Sequence, residues 1–433
     1  MTKAESANAR SANVKSTGIK NKSATRIMVY SHDAFGLGNL RRMLAICEHL
    51  LTSWGDLSIL LMSGSPMIHE FRLPEGLDYI KLPCLNRGVS GQLSAKYLDA
   101  SIEETVALRS QIIQSAVAHF KPNLLLVDKK PTGLKGELTA ALDYLQTNLP
   151  RSKCVLLLRD ILDAPQRTVD EWVRWGYYQT LKTYYDRILV VGMQTVFDLV
   201  QEYRLPVAVA RKVRYCGYIR KQVAGSDGEN PLAQLRLGPT DRLVLVTPGG
   251  GEDGYSLVSA YLTGLEELQQ SAATVPKFHS LILCGPEMPL AQQAQLQQRA
   301  KQCPGATFQS FTQNLLSCLE AANVVVSMSG YNTVTEILSL RKSAIVVPRL
   351  KPSQEQLIRA TRFAQRDWVT MIHPDRASGR SLMQAVLTQL ATPKLAPPDD
   401  IDFDGLPHVA HCLSELLSPT REFRCPSLMS VLV

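Results

Sequence analysis

The sequence predicts an α/β protein built from two doubly wound domains, and three observations carry that reading. Short, continuously apolar runs recur along the chain, as strands buried on both faces require. Helix-length segments separate them, and this alternation favours parallel sheets with right-handed crossovers. The pattern then restarts after a stretch holding Gly225, Gly228, Pro231, Gly238 and Pro239, which divides the chain into two similar halves.

Taken in order, "IMVYS", "LSILLMSG", "LDYIKLP", "NLLLVD", "CVLLLRD" and "RILVVG" are the strands of the first half. "NLRRMLAICEHLL", "SIEETVALRSQIIQSAVAHF" and "GELTAALDYLQTNL" carry apolar residues at helical spacing between them. The second half opens with "RLVLVTPGGG" and continues through "SLILCG", "NVVVSMSG" and "SAIVVPR" as strands. Its helices are "SLVSAYLTGLEELQQ", "TVTEILSL" and "SQEQLIRATRFAQR". A Pro-rich loop after Leu390 leads into a short helix, "HVAHCLSELL". The expected division is a disordered tail over 1–25, a first domain over 26–218, a second over 219–395, and a C-terminal tail over 396–433 that crosses back to the first.

The 433 residues carry a net charge of +8, with 45% hydrophobic and 20% charged residues, ordinary values for a globular protein. The charge is concentrated at the start. Residues 1–26 hold six basic side chains against Glu5 alone, leaving about +3 for the remainder. That is too little to argue for nucleic acid as a partner, although a basic cleft for an anion remains compatible with it. The tail lacks the apolar core of a secretory signal; it faintly resembles a transit peptide, and its plainer reading is a disordered segment. Nine scattered cysteines without a C-x-x-C pair read as reduced, buried thiols of a cytoplasmic protein. No apolar run approaches the ~18 residues that cross a bilayer.

Three strand–turn–helix joints carry the candidate chemistry. In "SHDAFGLGNLRR", Gly36 and Gly38 lie between the first strand and a helix from about Asn39, so backbone amides are aimed out of the sheet where anions bind. It is not the dinucleotide fingerprint, because Arg41 stands where the third glycine belongs. His32 at the strand end can accept a proton near neutrality, and Asp33 beside it can orient the ring or act as the base. In "LVTPGGGEDGY", Gly249, Gly250 and Gly251 repeat the device and point more strongly to phosphate. In "NVVVSMSGYNTVTEILSL", Ser329 and Gly330 offer a hydroxyl and a backbone donor. Thr333-x-x-Glu336 matches a capping box, the reading that the residues alone favour for Glu336; an acid there also suits ribose hydroxyls. Glu355 and Gln356 open the next helix with groups suited to polyhydroxylated ligands. "DDIDFD" has a metal-like Asp400-x-Asp402 spacing but reads as a solvated acidic loop, so no metal and no cofactor is expected.

"SGYNTVTEI" followed by "SQEQLIRA" resembles the donor site of GT-B glycosyltransferases, of the type of the peptidoglycan N-acetylglucosaminyltransferase and monogalactosyldiacylglycerol synthase. "SHDAFGLGNLRR" and "LLLRDILDAP" resemble a subgroup of predicted glycosyltransferases more closely still. The resemblance covers roughly residues 26–390 and implies two Rossmann-like domains facing across a cleft. It implies transfer of a sugar from a nucleotide-diphosphate donor, a UDP-sugar, to an acceptor hydroxyl, with inversion and without metal. By the same likeness Gly249–Gly251 and Arg220 face the diphosphate, and the Thr312 backbone meets the base. Ser329 and Gly330 form the next donor loop, Glu336 holds the ribose, and Glu355 and Gln356 contact the sugar. His32 and Asp33 fall near the acceptor-activating site, with Gly36, Gly38 and Asn39 as the acceptor loop. Asn39 stands where relatives usually carry histidine in "GLGH", so base chemistry that needs an imidazole there moves to His32 or Asp33 or is lost. A lipid acceptor and peripheral membrane docking stay open, as do two rivals: a UDP-sugar 2-epimerase on the same fold and a non-catalytic nucleotide-sugar binder.

Overall fold

The computed structural model describes residues 25–32, 37–87, 92–220, 231–238, 240–271, 277–312, 314–392 and 399–418. The N-terminal tail, Asp33 and Gly36 lie outside the described residues. The first half contains β1 (Thr25–Tyr30), β2 (Leu57–Ser63), β3 (Leu77–Lys81), β4 (Leu85–Arg87), β5 (Leu93–Ala95), β6 (Leu124–Asp128), β7 (Lys153–Arg159), β8 (Arg187–Val191) and β9 (Val213–Tyr215). The second contains β10 (Leu243–Thr247), β11 (His279–Leu283), β12 (Ala306–Gln309), β13 (Val324–Ser327), β14 (Ser343–Val346) and β15 (Thr370–Met371).

Seven strands form a parallel sheet in the order β3-β2-β1-β6-β7-β8-β9, and six form a second in the order β12-β11-β10-β13-β14-β15. The antiparallel pair β4-β5 stands apart. Each large sheet reverses its winding once, beside β1 in the first and β10 in the second, and such reversals leave a crevice at the carboxyl strand ends.

Period-two burial accounts for the layers. Ile27 and Val29 enter one cluster while Met28 and Tyr30 enter another on the opposite face. Leu243 and Leu245 join the first of these clusters, while Val244 and Val246 face a third. One continuous apolar core therefore runs through both lobes, and each lobe adds a private core on its outer side.

The chain crosses between lobes twice. The Tyr218 amide donates to the Asp402 carbonyl at 2.8 Å, and Ile219 and Asp404 form an antiparallel bridge. A side chain at Gly217 (φ +75°) would start 2.4 Å from the Asp402 carboxylate, so only glycine allows this approach. Asp402 also accepts from the Asp404 amide at 2.9 Å and lies 3.3 Å from His408 Nδ1. The acidic loop is thus corrected from a solvated excursion to the clasp of the second crossing. Beyond it the helix Gly405–Leu417 packs on the helix Leu37–Ser53 of the first lobe, burying Val409 and Leu413. All eight described cysteines are free thiols, seven of them buried. No described helix is long and apolar enough to cross a membrane.

Candidate functional site

The carboxyl ends of both sheets open onto one cleft of about 2170 Å³ between the lobes. From the first lobe His32 follows β1 and Lys129 follows β6; from the second, Gly249–Gly251 follow β10 and Gly330 follows β13. Both winding reversals face the same space.

His32 is 6% exposed, lines the cleft, and its Nδ1 has no hydrogen-bond partner among the described residues. Burial, then the charges of Lys129, Lys130, Arg109 and Arg159, hold its pKa well below 6.5, so the ring is neutral at pH 7. Its main chain is clamped: Asn39 Nδ2 donates to the His32 carbonyl at 2.7 Å, and the His32 amide points to Asp128 Oδ2 at 3.4 Å. Arg42 donates to Asn39 Oδ1 and to Asp128 Oδ1, the latter at 2.7 Å and buried. Asn39 therefore acts as a bracket behind the histidine. Gly38 lies on the rim, where its carbonyl accepts from Asn332 Nδ2 of the opposite lobe at 3.3 Å.

On the second lobe the three glycines divide their work. Gly249 (φ +90°) faces the cleft with room beside Thr333. A Cβ on Gly251 (φ +97°) would lie 2.3 Å from the Cys284 carbonyl oxygen, and one on Gly250 would lie 2.5 Å from Glu287 Oε2. The Glu287 side chain can swing away from Gly250, but backbone packing against residues 284–285 requires Gly251 to be glycine, a structural demand beside the phosphate role expected from the sequence.

The helix Tyr331–Ser339 starts at Gly330, an extended N-cap, and presents its amino end to the cleft. Thr333 and Glu336 both lie within this helix, so the capping-box reading fails. Glu336 is 7% exposed and lines the cleft. Ser329 behaves otherwise than its motif suggested. It is fully buried at φ +57°, does not line the cleft, and contributes its carbonyl to Arg359 at 3.0 Å.

Glu355 and Gln356 line the cleft at the start of the helix Glu355–Ala364. Burial pushes the Glu355 carboxyl up, but Arg159, Arg359, Arg349 and Lys129 bring it down to about 2. Its oxygens lie 3.0 Å from Arg159, 3.4 Å from Arg359 and 3.5 Å from Arg349. Gln356 Oε1 accepts from the Arg349 amide at 3.2 Å. Thr312 lines the cleft beside the half-exposed Phe311, its hydroxyl accepting from the Asn314 amide. Arg220 is a correction: it sits in a separate cavity of about 210 Å³, 3.5 Å from Asp404, held there by the second crossing.

Sequence reasoning missed the cations. Lys129, Lys130 and Arg159 all line the cleft. Their signal was present as charge placed directly after buried strands, "LLLVDKK" and "LLLRD", which served only to mark the strands. A second omission lies behind the cleft, where Arg359, fully buried, forms a two-pronged ion pair with Asp160 of the other lobe at 2.7 and 2.8 Å.

Residues 243–401 match the family model of the glycosyltransferase family 28 C-terminal domain. An uncharacterised glycosyltransferase of Methanopyrus kandleri is 28% identical over 144 residues, which are 33% of this chain and 37% of that protein. Among solved structures, the glycotransferase of kitacinnamycin superposes with a TM-score of 0.60 at 13% identity, covering 91% of this chain and all of that one. MurG of Acinetobacter baumannii and the UDP-GlcNAc 2-epimerase of Methanocaldococcus jannaschii each reach 0.59 at 11% identity, covering 90% of this chain and 99% of theirs. At such identities the structures speak for the fold. The chain has the two-lobed GT-B fold, and most of its second lobe matches the glycosyltransferase family 28 C-terminal domain.

Proposed function

We propose that the protein is a glycosyltransferase that moves a sugar from a nucleotide-diphosphate donor, a UDP-sugar, to an acceptor hydroxyl. The observation that carries this is Glu336: buried in the cleft wall, within two helical turns of the amino end at Gly330, and inside the family-matched segment. A carboxylate so placed accepts hydrogen bonds from vicinal ribose hydroxyls. The diphosphate then faces the amides at Gly249 and the amino end of the helix Tyr331–Ser339. As the glycosidic bond breaks, negative charge gathers on the leaving diphosphate, and this fixed dipole lowers that barrier. His32, neutral at pH 7 and on the cleft wall, takes the acceptor proton. The epimerase of the same fold is named for UDP-GlcNAc, which supports uridine as the base.

Thermal shifts with UDP, GDP and dTDP test the reading by linkage. UDP should raise Tm selectively, and Glu336→Gln should weaken that response about tenfold, one charge-assisted hydrogen bond's worth. No response to any nucleotide defeats the proposal. Incubation with UDP-GlcNAc and no acceptor separates it from 2-epimerisation, which would yield an epimer.

A further inference from the structure

The cations beside His32 exceed what the proposed reaction needs at that end of the cleft. The donor's diphosphate is served by glycine amides and a helix end on the opposite lobe, whereas Lys129, Lys130 and Arg159 stand on the first lobe, where the acceptor belongs. Two of them have acidic partners, Lys130 with Glu171 and Arg159 with Glu355. Lys129 has no ion pair among the described residues and is held at φ +68°, an uncommon backbone state for lysine. Burial, then Arg159, lowers its pKa to about 8. Beside it His32 is nine-tenths buried with Nδ1 unpartnered.

The loop that carries Lys129 and Lys130 is pinned from below. Arg109 grips Glu137 at 2.5 and 2.7 Å, Tyr30 donates to Glu137 at 2.6 Å, and the Leu134 amide donates to the Tyr30 hydroxyl at 3.2 Å. This buried triad fixes residues 134–137, the far end of the segment that follows β6 and carries Lys129 and Lys130. Crowded, partly buried cations of this kind are stabilised by an anion entering among them.

Resting on the glycosyltransferase reading, we infer that the second substrate bears an anionic oxygen group, phosphoryl or carboxyl, which binds against Lys129, Lys130 and Arg159 next to His32. The site is distinct from the donor diphosphate's, and it couples acceptor binding to proton removal. The charges facing His32 are Lys129, Lys130, Arg109 and Arg159, with the Arg42–Asp128 pair behind its main chain. An anion cancels part of that positive field, so the imidazole gains basicity once the acceptor has arrived.

Inorganic phosphate and acetate, titrated against chloride at matched ionic strength onto UDP-saturated full-length protein, are the probes. A further Tm rise with either one supports the inference, and the tighter of the two identifies the group. Lys129→Met should raise the anion concentration required at least tenfold while moving the UDP midpoint less than twofold. The NMR titration midpoint of His32 should rise on anion binding, and also in Lys129→Met without anion while Tm stays within a degree or two of the parent, because loosened packing would raise the midpoint only together with a fall in Tm. The inference is overturned if UDP-saturated protein ignores both anions, or if Lys129→Met weakens UDP as much as phosphate. The latter assigns Lys129 to the donor. Failure of the glycosyltransferase reading looks different: nucleotides give no shift while the anion response persists.

Discussion

Asn39 holds the His32 carbonyl with its amide nitrogen and the Arg42 guanidinium with its amide oxygen. That task needs a donor and an acceptor on one short side chain. Asn39→His should therefore slow sugar transfer, read as UDP release, by at least about tenfold while UDP affinity stays within twofold; a gain of turnover would instead mark the native chain as a binder. Histidine and glutamate at the site also set the pH response. Below 6.5 the unfolded chain protonates His32 while the folded one, with a lowered pKa, does not, so its contribution declines as pH falls from 6.5 toward the folded value. Glu355, at about 2 folded against 4.5 unfolded, stabilises fully above 4.5 and loses that contribution as pH falls toward 2. Urea titrations from pH 8 to 3 should show both declines, and Glu355→Gln should remove the lower one. At this scale the sequence exposed the residues that sit in glycine-marked turns, such as His32 and Gly330. It hid Lys129 and Arg159, because a charge after an apolar run marks the end of a strand whether or not a cleft lies beyond. Arg220 was misplaced because its position depends on contacts with Asp404, far along the chain.

Among the elements, the loop after β10 shows how one motif serves two ends. Gly251→Ala should destabilise the protein by about 2 kcal/mol or more, since a positive φ and a 2.3 Å contact with the Cys284 carbonyl both resist a side chain. Gly249 shares the positive φ but a side chain there would touch only Thr333 Oγ1 at 3.4 Å, so Gly249→Ala should cost less stability than Gly251→Ala and weaken nucleotide binding more. Melting curves with and without UDP separate the two. The long apolar strands were legible because both of their faces are buried, which forces continuous hydrophobicity. β9, β12 and β15 were not, being three, four and two residues long. "ATFQ" is also only part-buried along its length, as expected at a sheet edge.

For the whole molecule, the decisive contact is Arg359 with Asp160, two charges buried between lobes 199 residues apart. Asp160→Asn removes the two-pronged partner and leaves the guanidinium only the more distant Glu355, at 3.4 Å, as counter-charge. It should cost about 3 kcal/mol, whereas pairing it with Arg359→Met should recover most of that loss. Denaturant unfolding would check both, and a split into two transitions in the single variant would show that the pair couples the lobes. The shared core gives the same coupling in apolar form. Tyr331 and Phe363 of the second lobe lie in one cluster with Tyr218, and Val409 and Leu413 of the returning helix complete it. The family-matched stretch, residues 243–401, is consequently not a self-sufficient body. Expressed by itself it would leave a greasy seam bare, so a fragment cut at those boundaries should clump.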